Sequence, residues 1–113
     1  MYFADIAAVS VNQARDRYNS PGKNMQPQYD AYFEAIDCFS KSLSEALPDR
    51  ILQSPFDVVS MQFCMHYAFE NIQKTRIMLE NVTRWLRPGG IFIGTIPNDK
   101  FLLFVFNFLM HSL

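Results

Sequence analysis

Apolar and polar positions along this chain alternate between short continuous runs and helical repeats. The run FDVVSMQF, residues 56–63, is apolar on nearly every position and predicts a strand covered on both faces. Residues 3–6 read as the end of another strand, and the aromatic-rich residues 32–36 as a third that closes at Asp37. Residues 91–96 make a fourth, ended by Pro97. Between them lie helical patterns. Ser10-Val-Asn-Gln13 has the form of a capping box, with Val9 and Ala14 at the staple positions, and Val11, Ala14 and Tyr18 recur at helical spacing. Asn19-Ser-Pro-Gly22 opens a polar loop reaching to about Asp30. Residues 40–47 predict a short helix stopped by Pro48. Residues 71–86 predict the clearest helix, with Thr75, Met78, Leu79, Val82, Trp85 and Leu86 on one face and Arg87-Pro-Gly-Gly90 as its stop. Strand and helix alternate throughout, which implies an α/β fold with a parallel sheet and covering helices.

In open parallel sheets, ligands sit beyond the carboxyl ends of the strands. There the order of elements gathers Asp5, Asp37, residues 62–67 and Pro97-Asn98. Asp5 is either an acceptor for ribose hydroxyls or an acid at the approach to a helix. Asp37 either accepts from an adenine amino group or is solvated. Taken singly, His66 reads more often as a packed or exposed histidine than a functional one, and Phe63 and Tyr67 more often as core than as a ligand platform. No single one decides.

Composition narrows the classes. A chain of 113 residues, 50% hydrophobic, suits one small domain and excludes a disordered segment. With 10 Lys+Arg against 11 Asp+Glu it lacks the basic excess of a protein that grips nucleic acid through phosphates. Cys38 and Cys64 have no CxxC or Cys/His spacing, so reduced intracellular thiols are expected, with neither a disulfide frame nor a metal site. The first ten residues carry no signal-peptide pattern. Residues 101–113 hold ten large apolar residues and no charge, yet fall short of the roughly 20 that span a membrane. A buried helix or a sequence artefact is expected there, not an anchor.

The string FDVVSMQFCMHYAFEN, followed by a helix and LRPGGIFIGTIPN, resembles the mRNA cap guanine-N7 methyltransferases. That family carries FD-x-x-S-x-QF, a two-residue step to HY, an aromatic and Glu, then L-x-PGG-x-FIGT-x-P. DIAAVSVNQARDRY is similar to its segment D-I-A-x-x-S-I/V-x-x-A/C-x-x-RY. PGG after a helix is common to many methyltransferases, whereas QF-x-x-HY joined to FIGT-x-P is specific. The resemblance covers residues 2–99. It implies a Rossmann-like class I methyltransferase domain over residues 1–99, with residues 100–113 an apolar tail. It also implies S-adenosylmethionine as methyl donor, the capped mRNA 5′ end as substrate, and a nuclear location. Capping enzyme or an activating subunit is the implied protein partner, and no membrane is involved.

The resemblance implies that Asp5 binds the donor's ribose and Asp37 its adenine, while Gln62 and Tyr67 border its methionine portion. His66 would contact the cap guanine, Arg17 the phosphate side and Pro97 the base, with Phe63 as a wall of the same pocket. No catalytic base is expected, because guanine N7 already presents a lone pair. Alignment of N7 with the methyl and sulfur is the main task, and such alignment can supply effective molarities of about 10^5 M or more. A nearby acid would favour the cationic base that forms.

Such enzymes place a glycine-rich turn after their first strand, and the four glycines here, at 22, 89, 90 and 94, form none. The chain opens where the family's second strand is ending, and the family's further guanine-binding Glu and Tyr have no counterpart. In the family order 3-2-1-4-5, strands 2 and 3 would pair, as would 4 and 5, leaving a gap of about 10 Å. The exposed edges favour aggregation. The expectation is therefore a partial fold lacking the first and the C-terminal strands, from an incomplete or mis-spliced gene model, inactive alone. Two alternatives stand beside it: a non-catalytic fragment that pairs with another chain, and a small-molecule methyltransferase.

Overall fold

In the computed structural model, which describes residues 1–20, 22 and 29–97, β1 (Tyr2–Asp5) runs parallel to β2 (Tyr32–Ala35). The register sets Phe3 opposite Phe33, and their rings stack 5.0 Å apart. α1 (Ala8–Asn19) returns the chain between them, with Val11 buried and Tyr18 packed on Phe33. Arg15 holds this helix to the sheet, donating from Nη2 to the Phe33 carbonyl at 3.0 Å. These elements make up a first unit, Met1–Cys38, and the rest belong to a second, Phe39–Leu113.

The capping box does not form. Asp5 Oδ1 accepts from the Ala7 amide at 2.7 Å, which turns the chain straight out of β1. Val11 N then donates to the Ala7 carbonyl, so the helix has begun before Ser10 and that side chain has no cap to make. Val9, expected as a staple residue, is exposed.

In the second unit, α2 (Leu43–Ala46) and α3 (Asp49–Leu52) are single turns on either side of Leu47-Pro48; the short helix expected over 40–47 is thus confined to 43–46. β3 (Phe56–Gln62) follows, then a 3-10 helix (Met65–Glu70), α4 (Ile72–Trp85) and β4 (Leu86–Thr95). Asn71 caps α4 by accepting from Lys74 N at 2.9 Å. The core is Ala68, Met78 and Val82, flanked by Phe39, Val59, Met61, Met65, Phe69 and Leu86. Leu79, expected on the apolar face of α4, is turned to solvent. Its place is taken by Asn81, which is buried because it is useful there. It accepts from Leu43 N and donates to the Lys41 carbonyl, both at 2.9 Å, and so pins the start of α2 and the residues just before it to the helix.

β4 starts earlier than residue 91. Leu86 already pairs with Phe56, and the ladder resumes at Val58 opposite Ile91. Over that interval β3 advances two residues and β4 five, so Arg87 to Gly90 form a bulge. Gly89 takes φ +75° there, and Arg87 Nε closes the bulge on Asp57 Oδ1 at 2.5 Å. A Cβ on Gly90 would sit 2.7 Å from Leu86 Cδ1 and 2.9 Å from the Arg87 carbonyl oxygen, so only glycine fits the crossing. The two strand pairs are those expected from the strand order of the resembled family, β1 with β2 and β3 with β4, both parallel. Among the described residues, no helix is long and apolar enough to cross a membrane.

Candidate functional site

The carboxyl ends of β3 and β4 lie side by side, because the register that resumes after the bulge runs unbroken to Gln62 opposite Thr95. Side chains alternate along a strand. Val59 and Met61 therefore face α4, while Ser60, Gln62 and Thr95 share the opposite face. There the three polar groups bond in series. Gln62 Nε2 donates to Ser60 Oγ at 2.9 Å, and Thr95 Oγ1 donates to Gln62 Oε1 at 3.0 Å.

At Phe63 the strand ends abruptly. Its φ of 54° lies in the left-handed region, which side chains other than glycine, asparagine and aspartate seldom adopt. The Phe63 amide donates to both Thr95 O and Thr95 Oγ1, at 3.1 and 3.0 Å, which holds the kink in place. The ring consequently stands 64% exposed. The 3-10 helix begins two residues later, and its first turn carries His66 against Tyr67, rings 4.2 Å apart. Tyr67 is 65% exposed. His66 Nδ1 is closed to solvent and has no partner among the described residues. Nε2 is then the nitrogen left to meet a ligand. Gly94 permits this packing, since a Cβ there would press on Met65 at 3.3 Å and on the Met61 carbonyl at 3.2 Å. Pro97 follows on from β4 and is exposed.

Four of the expected site residues, Gln62, Phe63, His66 and Tyr67, thus belong to one strand end, with Pro97 leaving the adjacent one. Asp5, Arg17 and Asp37 belong to the first unit. Asp5 ends β1, exposed, with one carboxylate oxygen on the Ala7 amide. Asp37 follows β2 and is half-buried, while Arg17 is exposed in the last turn of α1. Asn98 lies outside the described residues, as do residues 101–113 and most of the loop after Asn19. Two residues with no role assigned from sequence, Ser60 and Thr95, are part of the arrangement. Thr95 stood in plain view within FIGT, but its contact with Gln62 depends on a register across the bulge that one strand alone does not reveal.

Near the start of β1, the Tyr2 hydroxyl is buried and has no partner among the described residues. Burial, with Glu34 and then Cys38 nearby, pushes its ionisation well above the ordinary tyrosine value. Among the described residues, no three His, Cys, Asp or Glu side chains gather as a metal site would need.

Residues 2–111 match the mRNA (guanine-N(7))-methyltransferase domain. The chain is 57% identical over 100 residues to the mRNA cap guanine-N(7) methyltransferase of Cryptococcus neoformans var. neoformans serotype D, a match covering 88% of this chain and 16% of that protein. It is 54% identical over 99 residues to the enzyme of the same name from Schizosaccharomyces pombe, covering 88% of this chain and 26% of the relative. With the Caenorhabditis elegans enzyme of that name the identity is 38% over 96 residues, 84% of this chain and 24% of the other. The chain therefore spans about a quarter or less of the length of these relatives.

Proposed function

The chain belongs to the mRNA (guanine-N(7))-methyltransferase family, and we propose that it contributes part of a site that moves a methyl group from S-adenosylmethionine to N7 of the mRNA cap guanine. The observation carrying this reading is the β3–β4 strand end, where an oriented amide, two exposed aromatic rings and a histidine lie on adjoining residues. The two parallel pairs suit strand pairs of a Rossmann-like class I methyltransferase sheet.

The donor set fits S-adenosylmethionine. That group supplies a sulfonium methyl. Gln62 keeps one Nε2 hydrogen beyond its bond to Ser60, for an acceptor at the amino-acid end of the methyl donor, and Tyr67 is assigned to that same end. The oxygen of Asp5 not engaged by Ala7 suits a ribose hydroxyl, and Asp37 is assigned to the adenine. For the cap, His66 offers Nε2 to the guanine, Phe63 and Pro97 offer apolar surfaces to the base, and Arg17 a charge for the phosphates. None of these residues needs to remove a proton, since N7 is nucleophilic as it stands. Their work is to hold the base in line and keep water from the reacting atoms. The site of action would be the nucleus, with capped mRNA as substrate.

The test is a segment exchange. Residues 2–97 of this chain replace the matching segment of the Schizosaccharomyces pombe enzyme, and methyl transfer to GpppG-capped RNA is measured. Activity is expected, with His66→Ala lowering kcat/KM about tenfold or more. A folded exchange protein that binds S-adenosylmethionine but does not methylate the cap would sink the proposal, as would a His66→Ala variant equal to its parent.

A further inference from the structure

We infer that Thr95 is a positioning residue, acting through Gln62 and Phe63 to set up the methyl-donor side of the site; this rests on the reading above. A threonine hydroxyl has one hydrogen to give and two lone pairs with which to accept. Thr95 spends its hydrogen on Gln62 Oε1 and receives the Phe63 amide on the same oxygen, both at 3.0 Å. The first contact holds the Gln62 amide in place from across the ladder. With Oε1 held by a donor, Nε2 must face Ser60 Oγ, 2.9 Å away, and its second hydrogen is left pointing to whatever binds there.

The second contact holds the left-handed turn at Phe63. That turn carries the phenyl ring out of the strand and starts the chain toward the helix bearing His66 and Tyr67. One hydroxyl therefore touches both the Gln62 amide and, together with the Thr95 carbonyl, the turn by which the pocket wall leaves β3. It can do so because Thr95 lies opposite Gln62 in the ladder and on the same face. Valine in its place keeps the shape and β-branching but can neither donate nor accept. Serine keeps the hydroxyl and loses only a methyl group.

The experiment compares Thr95→Val and Thr95→Ser in the segment-exchange protein, with two readouts. Steady-state kinetics with S-adenosylmethionine varied should show KM raised about fivefold to tenfold by Thr95→Val, with kcat changed less than about twofold, and with Thr95→Ser close to the parent. Amide hydrogen exchange should show the Phe63 N–H losing part of its protection in Thr95→Val, where only the bond to the residue-95 carbonyl remains, and keeping it in Thr95→Ser. Equal KM for Thr95→Val and the parent would overturn the inference, whatever the exchange data show. So would a Thr95→Ser variant as impaired as Thr95→Val, since the methyl group and not the hydroxyl would then matter. A parent exchange protein without cap methylation is a separate failure, seen before any substitution at Thr95, and removes the underlying reading together with this one.

Discussion

Replacing Phe63 separates what its backbone costs from what its ring does. At φ 54° a side chain with a Cβ is strained by about 1–2 kcal/mol, which glycine would not feel. Against that relief stand two losses. The ring is 64% exposed, so roughly a third of the 1.5–3 kcal/mol of a buried phenylalanine is at stake, about 0.5–1 kcal/mol. Glycine also costs about 0.5–1 kcal/mol more backbone entropy on folding. The terms cancel, and Phe63→Gly is expected within about 1 kcal/mol of the parent. Valine keeps the strain, adds β-branched crowding in the left-handed region and gives up part of the ring, so Phe63→Val should be the less stable by about 1 kcal/mol or more. Side-chain size alone predicts the reverse order. Trp85 is the chain's single tryptophan, so urea unfolding of the three proteins can be followed by its fluorescence. If Phe63→Val unfolds at the same urea concentration as Phe63→Gly, or a higher one, the left-handed turn is not what holds this strand end. In the segment exchange, Phe63→Gly should still weaken cap binding, because the pocket wall is gone while the fold remains.

Three further outcomes are expected. Asn81→Ala removes both bonds to the start of α2 and the residues just before it, at about 0.5–1.5 kcal/mol each, so urea unfolding should show a loss of about 1–3 kcal/mol; no measurable change would mean that water replaces both. Gly90→Ala forces a Cβ onto Leu86 and the Arg87 carbonyl, and should cost about 1 kcal/mol or more in the same assay. Tyr2 supplies a pH dependence. Its phenol is raised in the folded state, so below pH about 10 it is neutral in both states and contributes no slope. Above that, the unfolded chain releases the proton first and stability falls as pH rises, until the folded phenol also ionises. Tyr2→Phe should flatten this alkaline loss; an unchanged alkaline slope would show that the phenol is freely titrating.

The α/β pattern was legible because strand and helix periods differ so plainly in FDVVSMQF and in residues 71–86. The position of the strand ends followed from that alternation, and with it the grouping of Gln62, Phe63, His66 and Tyr67. Where reading the sequence failed, a local signal was overridden by a contact from elsewhere. Ser10 looked like a cap, but Asp5 had already turned the chain and started α1. Leu79 matched the helical stripe, yet Asn81 takes the buried position because two backbone groups at or just before the start of α2 need partners. Arg87-Pro-Gly-Gly90 looked like a full stop, since proline and two glycines end helices. It does end α4, but Leu86 is paired before the stop is complete, and the glycines serve a bulge.

That bulge connects the far end of β4 with the site. Parity decides which face of a strand each side chain takes, and an odd shift in register exchanges the two faces. β4 carries three surplus residues between its pairing at Leu86 and its pairing at Ile91, and alternation then continues undisturbed. Ile91, Ile93 and Thr95 thereby share a face with Val58, Ser60 and Gln62, while Phe92 and Gly94 are matched to Val59 and Met61. Had the ladder resumed one residue earlier or later, Thr95 would face α4 and Gln62 would have no hydroxyl across from it. Gly94, whose missing side chain makes room for Met65, would then lie on the wrong face. The bulge is fixed by the Asp57–Arg87 pair, by the positive φ of Gly89 and by the tight crossing at Gly90. PGG and GT are therefore one device. The first sets the phase of the strand, and the second uses that phase to orient the amide at its end.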